Sequence, residues 1–181
     1  MHKRILTAAL AAVFIAGCAA PTQEPPAAEA AAYTWTAQLE TLKRSLEEST
    51  RDSGVVITQT DDNRLKVVVP SDISFDVGRA NIKRDMARVL DQIADGLKGN
   101  DAIDVLVVGH TDSTGGEALN DRLSVNRATA ARDHLTARGL AAESLSVDGR
   151  GSHEPVADND TAAGRAQNRR VELFVGERTR G

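Results

Sequence analysis

The spacing of apolar residues along the chain predicts two helices, and a third is expected before Gly139. In the first two, large apolar side chains recur at intervals of three and four residues, which places them on one helical face. The expected helices cover Tyr33–Thr50, Ile82–Leu97 and Glu117–Arg138. Asn81 is a candidate N-terminal cap for the second helix, and Gly139 is a suitable stop for the third.

Runs of alternating or continuous apolar residues predict five strands. The first two flank the polar turn "DDNR" and should form a β-hairpin that ends at Pro70. The third is almost entirely apolar, as in a central strand that is buried on both faces. The strands are expected at residues 55–60, 65–69, 103–108, 145–149 and 170–175.

The remaining segments are expected to be loops. Residues 71–81 connect the hairpin to the second helix, with a short extended piece at 73–75, and residues 150–163 form a long loop before the last strand. Strands that alternate with helices imply right-handed crossover connections, and the hairpin and the last strand add antiparallel pairs. The sequence therefore predicts an α/β two-layer sandwich, with a mixed parallel and antiparallel sheet and both crossover helices on one face.

The first eighteen residues have the features of a targeting segment. "MHKR" is basic, and the apolar run "ILTAALAAVFIAG" is shorter than the roughly 20 residues that a bilayer-spanning helix needs. The run ends at Ile15-Ala16-Gly17-Cys18, which resembles the lipobox of bacterial lipoproteins. The resemblance implies that Cys18 becomes the lipid-carrying N-terminus, and Ala19 after it favours the outer membrane. The alternative is an ordinary signal peptide followed by a chance cysteine.

The segment after Cys18 is expected to be a tether. Residues 19–32 ("AAPTQEPPAAEAAA") contain three prolines and no large apolar residue, so they cannot pack a core. Fully extended, they would reach roughly 46 Å. An amphipathic helix at 33–52 follows, and then a domain at 53–181. The apolar stripe of that helix could pack on the domain, on a second copy, or on an envelope protein partner through Tyr33–Thr50.

The charge balance argues against a nucleic-acid partner. The whole chain has 22 basic and 26 acidic residues, a formal charge of −4. Without Lys3 and Arg4 of the signal, 20 basic residues remain against 26 acidic ones, which gives −6. A mildly acidic protein is poorly suited to bind nucleic acid or to be drawn generally to anionic lipid.

A group of polar residues marks the junction between the third strand and the third helix. Asp112 follows the carboxyl end of the strand, where α/β sheets usually bind ligands. Asn120 and Arg127 are seven residues apart on one helical face, with Leu123 between them. A carboxylate near a guanidinium complements a zwitterion such as a free amino-acid head. The alternative is an internal Asp112–Arg127 salt bridge that pins the loop.

Four motifs appear in a familiar order: "FDVGRA" at 75–80, "GHTDSTG" at 109–115, "LNDRLSVNRA" at 119–128, and "GRGSHEPVADNDTAAGRAQNRRVEL" at 149–173. Over about residues 55–176 the chain resembles the OmpA-like C-terminal domain. This peptidoglycan-binding module also occurs in peptidoglycan-associated lipoproteins and in flagellar stator proteins. The resemblance implies the same mixed βαβα sandwich.

The resemblance also implies a ligand, the diaminopimelate residue of the peptidoglycan stem peptide. Asp112 matches the aspartate of the family's threonine–aspartate pair, which includes Thr111, and Arg127 matches the arginine of the following helix. Asn120 and Leu123 are expected to flank the ligand. Phe75 and Asp76 lie in a neighbouring loop whose backbone is expected to contact the ligand. Arg165, Asn168, Arg169 and Arg170 are expected mainly to tie the long loop to the sheet, although one arginine could touch the glycan or the stem peptide.

The sequence shows no pattern for catalysis, a metal or a cofactor. His110, His134 and His153 lack the spacing of metal ligands, no serine lies in a nucleophile motif, and "DGRGSHEP" lacks the lysine of a phosphate loop.

The expectation is therefore a non-enzymatic outer-membrane lipoprotein that faces the periplasm and tethers the membrane to peptidoglycan. An adaptor that recruits a protein partner is the second hypothesis, and a wall hydrolase or transferase the third.

Overall fold

The computed structural model of the chain describes residues 33–179. The predicted signal segment, Cys18 and the tether at 19–32 lie outside the described residues. In the described part, no helix combines the length and apolar character needed to cross a membrane.

Helices and strands occur in the order that the apolar pattern predicts, with two additional short helices. The helices are α1 (Ala37–Ser49), α2 (Ser71–Ser74), α3 (Arg84–Leu97), α4 (Glu117–Ala137) and α5 (Ala162–Asn168). The strands are β1 (Val56–Gln59), β2 (Leu65–Pro70), β3 (Ile103–Gly109), β4 (Leu145–Gly149) and β5 (Arg170–Glu177). A 3-10 turn, Ala142–Ser144, precedes β4.

The strands form one five-stranded sheet in the order β1-β2-β5-β3-β4. β3 and β4 are parallel, whereas β5 is antiparallel to both β2 and β3, and β1 is antiparallel to β2. The predicted mixed α/β sandwich is thus confirmed. β5 rather than β3 is the middle strand, so the last strand of the chain is inserted between two earlier ones.

Helices α1, α3 and α4 contribute side chains to a single core on one face of the sheet. Along β5, Val171, Leu173 and Val175 point into this core, and the alternate residues, among them Arg170 and Glu172, point to the other face. The prediction that β3 is buried on both faces was wrong for its first half. Its Asp104 and Leu106 are only half-buried because no long helix covers that face.

The apolar stripe of α1 is part of the core of the domain. Leu39, Leu42 and Leu46 are buried together with residues of α3 and the sheet. Gly96 of α3 allows this close packing, because a Cβ at that position would press on the Leu42 side chain. Residues 33–52 therefore belong to the same compact unit as the rest of the described chain. A protein partner at Tyr33–Thr50 stays a prediction, and it would have to contact the outward polar face of the helix.

Three local predictions were wrong. The expected extended piece at 73–75 is mostly the single turn α2, which is too short to show helical periodicity. Asn81 does not cap α3, because Ile82 is held extended by a bridge to Phe75 and the helix begins at Arg84. The long loop ends at Thr161 rather than at residue 163, because α5 begins at Ala162, and the first turn of α5 is capped by Thr161 Oγ1 accepting from the Gly164 amide at 3.0 Å.

The packing of α1 gives a testable stability difference. We expect Leu46→Ala to lower the free energy of unfolding by about 2–5 kcal/mol, because it leaves a cavity in the core. Glu48→Ala, at an exposed position of the same helix, should change it by less than about 0.5 kcal/mol. Denaturant unfolding of both variants measures the difference, and equal stabilities would show that α1 is not an integral part of the domain.

Candidate functional site

Two glycines bring helix α4 directly onto the ends of β3 and β4. A Cβ at Gly109 would overlap the backbone carbonyl of Ser124, and a Cβ at Gly149 would press on Ser124 and Val125. The Ser124 hydroxyl also accepts a hydrogen bond from the Gly151 amide at 3.0 Å. This close contact sets Asn120 and Arg127 of α4 above the loop that follows β3.

Asp112 lies in that loop and is held as a carboxylate. Its residue is only 8% exposed. Oδ1 accepts from the Thr114 amide at 2.8 Å, and Oδ2 accepts from Arg169 Nη1 at 2.8 Å. Partial burial by itself would raise the pKa of the carboxyl, but the hydrogen bonds from Arg169 and Thr114 outweigh it and lower the pKa. Asp112 is therefore ionised at neutral pH.

Asn120 braces the same loop. Its amide nitrogen donates to the carbonyls of Asp112 at 3.2 Å and Thr114 at 3.1 Å. Its Oδ1 makes no hydrogen bond within residues 33–179. The loop is also braced from the other side, since Asn159 Oδ1 accepts from the Ser113 amide at 3.2 Å. The backbone around Asp112 is thus fixed in the absence of a ligand.

Arg127 is buried without a carboxylate partner. It is 4% exposed, and its guanidinium lies 5.2 Å from the centre of the Phe75 ring. Nε donates to the Arg79 carbonyl at 3.1 Å, and Nη1 donates to Ser71 Oγ at 3.4 Å. None of the ion pairs formed within residues 33–179 includes Arg127. Burial, together with the nearby Arg169, lowers its pKa, but an arginine remains charged at neutral pH.

The charged partner of Asp112 is Arg169, at the end of α5. The alternative prediction of an Asp112–Arg127 salt bridge is therefore wrong for this structure. Arg169 also makes a two-point contact with Asp72, from Nε to Oδ1 at 3.2 Å and from Nη2 to Oδ2 at 3.0 Å. The bonds to Asp72 and to Asp112 raise its pKa. We call Asp72, Arg169 and Asp112 the carboxylate–guanidinium triad.

Sequence reasoning missed the part that Arg169 and Asp72 play in the site. Arg169 was expected mainly to tie the long loop to the sheet. Asp72 precedes Arg169 by 97 residues, and only the insertion of β5 beside β2 brings the two together. The "NRR" motif marks Arg169 as notable, but no local pattern marks Asp72.

The other predicted ligand-binding residues surround this centre. Phe75 is buried beneath Arg127, and Leu123 is half-buried on α4, one turn before it. The Thr111 amide donates to the Gly151 carbonyl at 2.8 Å, and its hydroxyl is buried with no hydrogen bond to any described residue. Asp76 is exposed, and its carbonyl accepts from the Arg79 amide at 3.0 Å.

The long loop is tied to the sheet by the residues expected to do so. Asn168 Oδ1 accepts from the amides of Val156 and Ala157 at 2.8 and 2.9 Å, and Arg165 Nη1 donates to the carbonyls of Asn159 and Asp160. Arg170 donates to Glu172 and to the carbonyl of Glu154. These contacts hold the start of β5, and with it Arg169, in place.

His110 lies next to the site but faces the opposite side of the sheet. It is 1% exposed, and neither ring nitrogen has a hydrogen-bond partner among the described residues. Burial and the positive charge of Arg170 lower its pKa to about 4, although Glu172 acts in the other direction. The Glu172 carboxylate is already paired with Arg170 at 2.7 Å and Lys66 at 2.9 Å. His110 is therefore a neutral core residue.

Comparison with known proteins identifies the family. Residues 74–169 match the OmpA family, and the chain belongs to it. The predicted family membership is thus confirmed. Among the described residues, no group of histidine, cysteine and acidic side chains is arranged to hold a metal ion.

Individual relatives share the region that contains the site. The chain is 38% identical over 137 residues to the "Probable lipoprotein YiaD" of Escherichia coli K12, covering 76% of this chain and 62% of that protein. It is 39% identical over 111 residues to the "Peptidoglycan-binding protein ArfA" of Mycobacterium tuberculosis H37Rv, covering 61% of this chain and 34% of that protein. The chain therefore spans less than two thirds of the length of either relative.

A solved structure shares the fold. The cell wall anchor of the type VI secretion system (T6SS) from Pseudomonas aeruginosa superposes with a TM-score of 0.67 at 34% identity. The match covers 75% of this chain and 96% of that one.

The burial of His110 predicts a specific acid sensitivity. Below about pH 6.5 the unfolded chain binds a proton at this histidine, whereas the folded chain binds it only near pH 4. Stability is therefore lost as the pH falls from about 6.5 to about 4. We expect His110→Gln to reduce the loss of unfolding free energy between pH 7 and pH 4.5 by about 1–3 kcal/mol. Denaturant titrations at both pH values test this, and an unchanged loss would contradict it.

Proposed function

We propose that the cleft formed by Asp112, Asn120 and Arg127 binds the free amino-acid head of diaminopimelate in the peptidoglycan stem peptide. The observation that carries this proposal is the buried Arg127 guanidinium, which has no carboxylate partner in the described chain. A buried charge is costly unless it is paired. A ligand carboxylate would supply the missing partner through the planar guanidinium fork.

The surrounding charges favour a zwitterion over a simple anion. The triad consists of two carboxylates and one guanidinium, so its net charge is −1, and Arg127 adds +1 beside it. The negative part is suited to an ammonium group and the positive part to a carboxylate. Asn120 Oδ1, which has no partner within the described residues, can accept a further hydrogen bond from the ammonium.

Each site is expected to bind weakly. A ligand of about a dozen heavy atoms that gains roughly 0.3–0.5 kcal/mol per atom reaches a Kd between about millimolar and tens of micromolar. Such an affinity is sufficient for a tether, because an anchored domain stays beside a wall that presents many copies of the same ligand.

At the level of the whole protein, we propose a non-enzymatic lipoprotein that is anchored in the outer membrane through Cys18 and links it to peptidoglycan from the periplasmic side. Three similarities support this proposal: one relative carries the name of a probable lipoprotein, another of a peptidoglycan-binding protein, and one solved structure is titled a cell wall anchor. The sequence features of residues 1–32 agree with it.

Removing the charge of Arg127 or of Asp112 should weaken peptidoglycan binding strongly. We expect Arg127→Gln and Asp112→Asn each to weaken co-sedimentation of the detergent-purified full chain with peptidoglycan at least about tenfold, since each removes a charged partner of the ligand. Free diaminopimelate should release the wild-type protein. The matched control is Arg122→Gln, which removes an exposed arginine of the same helix and should bind like the wild type.

The stability of the same variants separates binding from structure. Because Arg127 has no carboxylate partner, Arg127→Gln should change the free energy of unfolding by no more than about 1 kcal/mol, whereas breaking a buried ion pair costs about 3–5 kcal/mol. Retained binding of both variants, or a loss of stability of that larger size in Arg127→Gln, would contradict the proposal.

The protonation of Asp112 predicts how binding depends on pH. Its lowered pKa lies below the usual value of about 3.9 for aspartate, so the carboxylate persists on acidification. We expect the same affinity for peptidoglycan at pH 5 and pH 7, and a loss only below about pH 4. Co-sedimentation at these pH values tests this, and a loss between pH 7 and pH 5 would show that another group controls binding.

A further inference from the structure

We infer that Asp72 is a specificity-determining residue of this cleft, one that makes the cleft prefer a carboxylate with a neighbouring ammonium group over a carboxylate alone. The inference rests on the proposed function and extends it. It follows from three features of Asp72: its two-point contact with Arg169, its contribution to the charge of the cleft, and its place on α2.

The contact with Asp72 limits how Arg169 can contact Asp112. Nε and Nη2 of Arg169 are directed to the two oxygens of Asp72, at 3.2 and 3.0 Å, which leaves Nη1 for Asp112 Oδ2 at 2.8 Å. Without Asp72, the arginine could turn two donors onto Asp112 and cover both of its oxygens. Asp72 therefore keeps part of Asp112 available to a ligand ammonium.

The charge of the cleft leads to the same conclusion. If Asp72 were neutral, Asp112 and Arg169 would cancel, and Arg127 would leave a net charge of +1. Such a cleft would bind any carboxylate and gain nothing from an ammonium group. With Asp72 ionised, the triad carries −1 beside the +1 of Arg127, so both ends of a zwitterion find an opposite charge. Asp72 and Asp112 act to raise the pKa of Arg127, against its burial and the charge of Arg169, as expected of charges that share one cleft.

Helix α2 holds Asp72 beside Arg169 and is tied to both arginines through Ser71. The Ser71 amide donates to the Arg169 carbonyl at 2.9 Å, and Ser71 Oγ accepts from Arg127 at 3.4 Å. On the other side, Lys83 Nζ donates to the Asp72 carbonyl at 2.9 Å. The backbone of Asp72 is thus fixed by contacts that do not involve its carboxylate.

The Asp72 side chain itself is well solvated, at 60% exposure. An exposed ion pair contributes little to stability, so the carboxylate can be removed without unfolding the domain. Its charge nevertheless acts on a bound ligand, because the ligand displaces water from the cleft.

The test compares two ligands that differ only in their ammonium groups. Diaminopimelate carries both carboxylates and ammonium groups, and pimelate carries the carboxylates alone. We expect the wild-type full chain to prefer diaminopimelate. Asp72→Asn should weaken diaminopimelate binding about tenfold and leave pimelate binding unchanged or stronger, so that the ratio of the two Kd values, measured by NMR titration, falls about tenfold.

Two further variants serve as controls. Asp133→Asn also removes an exposed carboxylate that is paired with an arginine, at 62% side-chain exposure, and it should leave the ratio unchanged. Asp72→Glu keeps the charge and should restore most of the preference. A thermal melt of each variant establishes that the domain is folded.

The outcomes distinguish this inference from the proposed function. If wild type binds diaminopimelate and Asp72→Asn has the same Kd ratio, the inference is overturned and the proposed function stands. If Asp72→Asn loses both ligands equally, Asp72 only supports the shape of the site, and the inference is again overturned. If the wild-type chain binds neither ligand, both proposals fail together.

Discussion

The buried guanidinium of Arg127 is the constraint on which the rest of the site depends. Four features hold it in place: the Phe75 ring, the Ser71 hydroxyl, the Arg79 carbonyl and the close packing of α4 on β3. None of these neutralises its charge. A buried guanidinium that lacks a partner of opposite charge lowers the stability of the folded domain. This loss is understandable if a ligand supplies the missing carboxylate.

The order of the strands explains how the negative half of the site arises. Because β5 is inserted between β2 and β3, Arg169 lies at the start of β5 with α2 on one side and the loop after β3 on the other. It can therefore contact Asp72 and Asp112 at once. In a sheet whose last strand lay at an edge, one of these two neighbours would be missing, and the triad could not form.

Local patterns predicted most of the fold and marked about half of the candidate site. The periodicities of α1 and α3 and the apolar runs of the strands follow directly from burial of one face, and short-range motifs marked Asp112, Asn120 and Arg127. Asp72 and the Asp112–Arg169 pair were missed, since they depend on strand order and on contacts between residues 97 and 57 positions apart. The short helices α2 and α5 escaped prediction because a single turn or two leaves no apolar period.

The loop around Asp112 is rigid, although the affinity expected for the proposed ligand is low. Hydrogen bonds to the side chains of Asn120 and Asn159 and to the Gly151 carbonyl fix the loop around Asp112 before any ligand arrives, so little conformational entropy remains to be lost on binding. The proposed ligand is small, and its affinity is limited by size rather than by ordering of the site. The weak, charge-selective binding proposed for this rigid cleft would suit a domain held beside its ligand, where rapid exchange among many identical sites maintains attachment.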